Sequence, residues 1–389
     1  MSKVHITLVG SQKMPVYNGI KYIEPDTVVF IASPESQSDV KFIMQEFVGS
    51  KINFVTEILD AVDIPVVADE ALKLSEKYKN DEVSVNITSG TKIWSCYFTM
   101  MFFQSLNASI FYIDQNNKIW DFVHPEKQAF VPFDMFVQFR LNGNPLTKYT
   151  MLSDYTDEDI DNIRKIEEIR HLNQDIFNKL TILSKGDNAT LESNNKGTFY
   201  VKDKSSYVFW DKKKCSVRFV IKTAKKEIDE TLVSPNIIKL VFNSGWFEVK
   251  CADILSKWQV VTRDNIYLNC VFPVEKHHNQ CNDKFPKNEV DIIIKMGDKL
   301  LFVECKTQIF ESTDIDKFNT VVRNYGGMGS KGLFLTEYAK TDIHLTKIKE
   351  SNLIEFSLLE HSGGKRKQYK DVQELYNLLD RELYKINKK

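Results

Sequence analysis

Between residues 1 and 140, short β-rich runs alternate with helical patterns, and this order restricts the fold more than any other feature of the chain. Ile6-Thr7-Leu8-Val9 predicts a first strand and 27–32 a second, while 83–87 and 109–113 predict two more. Between them, 39–48 sets Val40, Ile43, Met44 and Phe47 on one helical face, and 92–105 predicts a further helix. Strands separated by helices pair in parallel, and the helices then cover both faces of the sheet. Ligands of such sheets sit beyond the carboxyl ends of the strands. The N-terminal fold class is therefore α/β, Rossmann-like, around a parallel sheet.

The pattern changes after Asn142-Gly143-Asn144-Pro145. Residues 157–183 are highly charged, with Ile160, Ile163, Ile166, Ile169, Leu172, Ile176 and Leu180 at helical spacing, which predicts one connector helix with a buried seam. Residues 197–223 are β-rich and carry a basic run (Lys202, Lys204, Lys212, Lys213, Lys214, Arg218 and Lys222, then Lys225 and Lys226). Ser234-Pro235 supplies a helix cap and a first-turn proline. A chain of 389 residues exceeds one ordinary core. Three segments are expected: a ligand-sensing domain over 1–145, a connector helix with basic β-hairpins over 146–233, and a last domain over 234–389.

Lys plus Arg number 52 against 53 Asp plus Glu, so any basic surface is local. The basic hairpins, with Tyr207, Phe209 and Trp210, fit either a grip on nucleic acid by charge and stacking or a solvated face. The N-terminus runs into a strand with no signal-like apolar region. The longest apolar stretch, 93–103, falls short of the roughly 20 residues that span a bilayer. It is expected to form a buried core helix, and the chain to be cytoplasmic with no membrane partner. Cysteines 96, 215, 251, 270, 281 and 305 form no CxxC pair and are expected to be reduced thiols. Cys270, His277, His278 and Cys281 match no compact zinc spacing, which argues against structural zinc.

The strongest chemical signal lies between Glu289 and Lys306. Two strand-like runs, 289–294 and 301–306, flank a turn at Gly297-Asp298, and a glycine in the first turn position suits a type II′ hairpin. In that register Met296 faces Lys299, which sets Asp291 opposite Glu304 and Glu289 opposite Lys306, all four on one strand face. Val290, Ile292, Ile294, Leu301, Val303 and Cys305 fill the other face, as core. Two opposed carboxylates repel, by up to about 1 kcal/mol, unless a cation lies between them. Hard oxygen ligands suit Mg²⁺ or Mn²⁺, which activate water and polarise phosphoryl oxygens. Lys306 is placed to neutralise developing negative charge. The same residues also fit a solvated hairpin in which Glu289 and Lys306 form an ion pair. The run Tyr325-Gly326-Gly327-Met328-Gly329-Ser330-Lys331-Gly332 is a helix cap and loop, or a close approach to nucleic acid with Lys331 near a phosphate.

Two loops in the N-terminal domain suit phosphate. Gly10-Ser11-Gln12 follows the first strand, and Thr88-Ser89-Gly90-Thr91-Lys92 opens a helix, where free N–H groups and a lysine attract anions. Neither is a P-loop or a G-x-G-x-x-G fingerprint, and any doubly wound domain needs small residues at such turns.

Asp291 and Glu304-Cys305-Lys306 resemble the PD-(D/E)xK restriction-endonuclease superfamily, and Ser244-Gly245-Trp246-Phe247-Glu248 resembles its upstream Gly-x-(Trp/Leu)-x-Glu helix. Val290 stands where many members have proline. The resemblance implies Asp291, Glu304 and the Cys305 backbone carbonyl as metal ligands, Glu248 as support for the metal site, and Lys306 as the catalytic lysine. Gly10-Ser11-Gln12 together with Asn86-Ile87-Thr88-Ser89-Gly90-Thr91-Lys92 resembles the CRISPR-associated Rossmann-fold (CARF) sensor. Joined to a restriction-endonuclease-like α/β/α domain, that is the arrangement of ancillary nucleases in type III CRISPR antiviral systems. It implies a homodimer that holds a cyclic oligoadenylate, cyclic tetra-adenylate in particular. Gly10, Ser11, Gln12, Ser33, Thr88, Ser89, Gly90, Thr91 and Lys92 would line the site. It also implies cleavage of RNA or single-stranded DNA with Mg²⁺ or Mn²⁺. Two rival readings are a nucleotide-sensing regulator whose last domain only binds nucleic acid, and a constitutive restriction or repair nuclease.

Overall fold

The computed structural model describes residues 1–103, 108–126, 128–186, 191, 193–202, 205–223, 227–242, 245–277, 280–309, 311–327, 329–359 and 369–384, without the side chains of 128, 181–186, 274–277 and 280–286. The first domain runs β1 (Lys3–Leu8), α1 (Met14–Ile23), β2 (Thr27–Ala32), α2 (Gln37–Gln45), β3 (Asn53–Ile58), α3 (Ile64–Lys77), β4 (Glu82–Asn86), α4 (Lys92–Phe103), β5 (Ala108–Ile113), β6 (Lys118–Asp121), β7 (Gln128–Phe130) and α5 (Met135–Leu141). Its sheet has the order β3-β2-β1-β4-β5-β6-β7, parallel through β5 and antiparallel beyond it. β1 and β2 are buried along almost their whole length, not alternately, because helices cover both faces. Strand order reverses between β1 and β4, so the loops after these two strands meet. The predicted α/β class is what the structure shows.

The apolar stretch 93–103 is a helix but not a fully buried one. Trp94, Phe98 and Phe102 are buried, whereas Met100 and Phe103 are each 59% exposed, and Cys96 is exposed too. A helix on the outer layer of a sheet buries only one stripe. Val62, Ile64, Val66 and Leu72, on and just before the neighbouring α3, are exposed apolar residues as well. No helix of the described residues is long and apolar enough to cross a membrane.

The rest of the chain runs β8 (Lys148–Met151), α6 (Asp157–Leu172), α7 (Gln174–Gly186), β9 (Lys196–Tyr200), β10 (Tyr207–Asp211), β11 (Ser216–Lys222), β12 (Glu227–Val233), α8 (Ile237–Phe242), α9 (Gly245–Ser256), β13 (Ile266–His277), β14 (Gln280–Met296), β15 (Lys299–Lys306), α10 (Thr313–Tyr325), β16 (Lys331–Thr336), α11 (Asp342–Glu350), β17 (Ile354–Ser357) and α12 (Val372–Tyr384). β9 to β12 form a four-stranded antiparallel sheet. The last sheet, β17-β16-β15-β14-β13-β8, is antiparallel from β8 to β15 and parallel from β15 to β17. β8, from the segment between the domains, is therefore an edge strand of the C-terminal sheet, and α6 shares a core with α8, α9 and α12.

The expected single connector helix is two. α6 is closed at its start by reciprocal bonds between Thr156 and Asp159 and ends at Leu172. Asn173 leaves helical geometry (φ −156°, ψ 87°), and its side chain caps α7 by accepting the Ile176 N–H at 3.0 Å. Ile163, Ile166, Ile169 and Leu180 are buried as the spacing predicts, but Leu172, at the break, is 48% exposed.

Both faces of the C-terminal sheet are core, not one. Ile292, Ile294, Leu301 and Val303 face α6, α8 and α9. Ile293, Leu300 and Phe302 pack with Phe318 and Phe334 in a cluster that continues through α5 to Val9, Val28 and Phe30 of the first domain. The Phe139 ring of α5 lies 5.1 Å from Phe272 and 6.4 Å from Phe302, so the two domains share one apolar seam.

Candidate active site and ligand pocket

The β14–β15 hairpin has the predicted register, Met296 opposite Lys299 and Ile292 opposite Val303. Gly297 has φ 63° and Asp298 does not share the left-handed region, as a type II′ turn requires. The ladder between these strands ends at Ile292↔Val303, whereas β15 goes on pairing with β16 as far as Lys306↔Thr336. At the next step the Asp291 carboxylate takes over, accepting the Cys305 N–H at 2.7 Å. A side chain thus stands where a backbone acceptor would be, at the mouth of the site.

Around it the sheet end gathers charge. Glu304 accepts from the Lys306 ammonium at 2.9 Å. α9 brings Glu248 to the same place, and its Oε2 is buried with no hydrogen-bond partner. Burial, then the nearby Asp291 charge, push the Glu248 carboxyl well above the usual carboxylate range. Burial, then Glu304, push Asp291 up to about 7, against the opposing pull of Lys306 and the Cys305 N–H. Burial also raises Glu304, with Lys306 opposing it. For Lys306 itself burial acts downward, but Glu304 and Asp291 outweigh it and hold the ammonium above its usual range. Half-buried carboxylates with raised affinity for protons are a set that a cation would stabilise.

The solvated-hairpin alternative fails on two counts. The ion pair of Lys306 is with Glu304 beside it, not with Glu289 across the ladder, and Asp291 is half-buried, with its carboxylate bonded to the Cys305 N–H. Glu289 is exposed at the rim. The donor set fits a hard divalent ion: acid oxygens from Asp291, Glu304 and Glu248, one of them orphaned, with the Cys305 carbonyl nearby in sequence. Among the described residues, the trio whose ligand atoms all lie within 4.8 Å of one another is a different one: Glu167, His171 and Glu337. There Arg170 and Lys250 already answer the two carboxylates, at 2.8 and 2.6 Å, so that cluster is an ion-pair network and no cation site.

Other sequence candidates resolve toward structure. Trp210 is buried against Phe199 and Phe242, so it is no stacking platform. Arg218 is paired with Asp229, and Lys222 with Glu227. Lys204, Lys225, Lys226, Ser244 and Met328 lie outside the described residues. Gly326 caps α10, the Ser330 hydroxyl donates to its carbonyl, and Lys331 bonds Asn352 at 2.9 Å, which is the cap-and-loop reading. Cys270 is buried, and burial raises its thiol. His278 and the side chains of His277 and Cys281 lie outside the described residues, and the cysteines that are described are free.

In the first domain the two predicted loops touch. The Gly10 N–H donates to Ser89 Oγ at 3.0 Å, and that hydroxyl donates to the Gln12 carbonyl at 3.2 Å. A Cβ on Gly10 would stand 2.7 Å from the Gly90 nitrogen, so only glycine permits this approach. A depression of about 330 Å³ opens beyond the carboxyl ends of β1, β2 and β4, and Gly10, Ser11, Ser33, Gly90 and Thr91 line it. Val9, Ala61, Trp94, Ser36, Glu35 and Asp39 complete the lining, and the sequence did not single them out. Their signal was available, since 33–39 and 59–61 follow strands in the same way. Thr88 and Thr91 are partly committed elsewhere. Thr88 donates to Asn86 and accepts from the Ile113 N–H, and the Thr91 hydroxyl donates to the Ala61 carbonyl. Gln12 and Lys92 are exposed outside the depression, Lys92 as the first residue of α4.

A second cleft, of about 390 Å³, lies between the domains, where Lys13, Asn144, Lys287, Asn288 and Tyr325 meet. Lys13 follows the Gly10–Gln12 loop directly and is paired with Asp39 at 3.1 Å.

Fold and sites define a Rossmann-like domain with a depression beyond its strand ends, joined to a second α/β domain with an acidic cluster and a lysine at its sheet end. Residues 4–142 match the model of the Card1 CARF domain, and solved structures at low sequence identity share the fold over nearly the whole chain. It superposes on Can2 from Sulfobacillus thermosulfidooxidans in complex with cyclic tetra-adenylate with a TM-score of 0.65 at 14% identity, over 98% of this chain and 99% of that one. Protein VC1899 from Vibrio cholerae gives a TM-score of 0.65 at 13% identity, covering 97% and 96%. A type III CRISPR defence DNA nuclease activated by cyclic oligoadenylate gives 0.57 at 16% identity, with 98% of this chain spanning 52% of that one. No curated protein matches the chain by sequence.

Proposed function

We propose that this chain is a nuclease gated by a cyclic oligoadenylate, cyclic tetra-adenylate first, that cuts RNA or single-stranded DNA in type III CRISPR defence in the cytoplasm. The observation that carries the reading is the cluster of half-buried carboxylates with raised affinity for protons around Asp291, with the orphaned Glu248 Oε2 and Lys306 beside it. Asp291, Glu304 and the Cys305 carbonyl would hold Mg²⁺ or Mn²⁺, with Glu248 supporting them. The ion would supply charge neutralisation and activation of water for in-line attack on a phosphodiester. The protein's own groups do the rest. The Cys305 N–H fixes the Asp291 carboxylate, and Glu304 holds the Lys306 ammonium where it can offset charge developing on the phosphate.

The activator would occupy the depression after β1, β2 and β4. The start of α4 suits its phosphates, with the Lys92 ammonium exposed just outside the depression, while Glu35 and Asp39 in the lining suit its hydroxyl or amino groups. The exposed strip of Val62, Ile64, Val66, Leu72, Met100 and Phe103 begins beside Ala61 of that pocket. A second copy meeting this strip would bring two pockets together around one symmetric ligand, making a homodimer. From there the shared apolar seam through α5, and the cleft at Lys13, lead to β14 and β15. Cleavage assays on single-stranded RNA and DNA, with each cyclic oligoadenylate in turn and with or without Mn²⁺, test the reading. Cutting is expected only when both metal and the matching activator are present. Cutting in excess EDTA, or equally fast without any activator, contradicts it.

A further inference from the structure

We propose that Arg170, on α6, is a positioning residue for the nuclease site, tying the helix that carries Glu248 to the strand end that carries Lys306; this rests on the nuclease reading above. The Arg170 guanidinium donates to both Glu337 oxygens at 2.8 Å, with Arg170 3% exposed and Glu337 fully buried. Glu337 is the residue after β16, and its N–H donates to the Lys306 carbonyl at 3.1 Å. One end of the link is thus bonded to the backbone of Lys306.

The other end reaches α9 on both sides of Glu248. Arg170 lies over the Trp246 ring, 5.2 Å from its centroid, two residues before Glu248. One turn earlier on α6, Glu167 accepts from Lys250 at 2.6 Å, two residues after it. α6 therefore grips α9 at two points around a carboxylate whose buried Oε2 has no hydrogen-bond partner. A buried ion pair is a poor way to gain stability, because desolvation cancels most of its attraction. What it does supply is one allowed geometry, since a guanidinium whose Nη1 bonds both carboxylate oxygens while the group lies over an indole ring tolerates little displacement.

The test uses the full-length chain with Mn²⁺, cyclic tetra-adenylate and a single-stranded oligonucleotide that the wild type cuts. Removing one partner alone leaves a buried charge, so the main variant replaces both, Arg170→Met with Glu337→Met, a change such pairs tolerate. The expected result is at least a tenfold fall in kcat with KM within twofold, an unchanged melting temperature and unchanged activator affinity. Mn²⁺ affinity, measured by calorimetry without substrate, should weaken at least threefold. Arg170→Lys, which keeps the charge but not the planar fork, should fall between. Unchanged kcat, a raised KM at unchanged kcat, or undiminished Mn²⁺ affinity overturns the inference. If the double variant does not fold, Arg170→Lys decides by the same readings. A wild type that cuts nothing with any metal overturns the nuclease reading and this inference with it, whereas equal cutting by wild type and double variant overturns only the inference.

Discussion

Asp291 illustrates how one side chain can be costly to the fold and needed by the site. Its folded pKa, about 7, lies above the ordinary value of 3.8, so the folded state holds the proton more tightly than the unfolded chain does. The stability this group contributes is complete below about pH 4 and is lost as pH rises through about 7. A divalent cation can replace that proton only where the carboxylate is ionised. Mn²⁺ should therefore raise the melting temperature clearly at pH 8 and far less at pH 5, by differential scanning calorimetry; an equal rise at both would detach the effect from Asp291. Asp291→Asn keeps the shape, removes a ligand charge and relieves the repulsion with Glu304. Cleavage should fall by orders of magnitude while the melting temperature in EDTA at pH 8 holds or rises. Full activity in that variant would remove Asp291 from the metal site. The residue types and spacing of 291, 304 and 306 were legible in the sequence, because strand alternation and a two-residue turn dictate which side chains meet. That Lys306 pairs with Glu304 and not Glu289 was not legible, since it depends on where the ladder ends.

At the scale of elements, the start of α4, where the Thr91 hydroxyl accepts the Trp94 N–H at 3.3 Å, carries an exposed lysine that suits a phosphate. A charge-assisted contact of this kind is worth roughly 1.5–3 kcal/mol, so Lys92→Ala should raise the activator concentration for half-maximal cutting about tenfold or more. The catalytic end is untouched, and saturating activator should restore the maximal rate. A variant dead at every activator concentration would give Lys92 another role. Elements were most readable where a local rule decides them. The turn at Gly297-Asp298 follows from backbone sterics. The break at Asn173 was missed because isoleucine spacing continues in phase across it, whereas a polar side chain that can cap the next helix ends the first. The exposure of Met100 and Phe103 was missed because composition reports that a stretch is apolar, not which stripe of it faces a sheet.

For the whole molecule, the exposed strip on α3 and α4 sets up the dimer prediction. A cyclic, symmetric activator can meet two equivalent loops only across a two-fold axis, and it shifts the protein only by its preference for the active arrangement. Titration calorimetry should give one cyclic tetra-adenylate per two chains, and light scattering a dimer. Phe103→Glu, at a position 59% exposed within one chain, should leave the fold intact, yield monomers and abolish activator-dependent cutting. One activator bound per chain, or a fully active monomer, would end the paired-sensor account.

By itself the sequence determined what local periodicity and sterics control: the parallel sheet, the hairpin register, the small-residue loops and the acidic pair with its lysine. These depend on neighbours a few residues apart or on a turn whose geometry glycine dictates. The tertiary structure alone decided which distant groups share a place. It set Glu248 of α9 beside Asp291 and buried both faces of the C-terminal sheet. It added Glu35 and Asp39 to the ligand pocket and joined Arg170 to Glu337 across 167 positions. Such pairings arise from how layers stack around a core, and the spacing of residues along one chain carries no record of them.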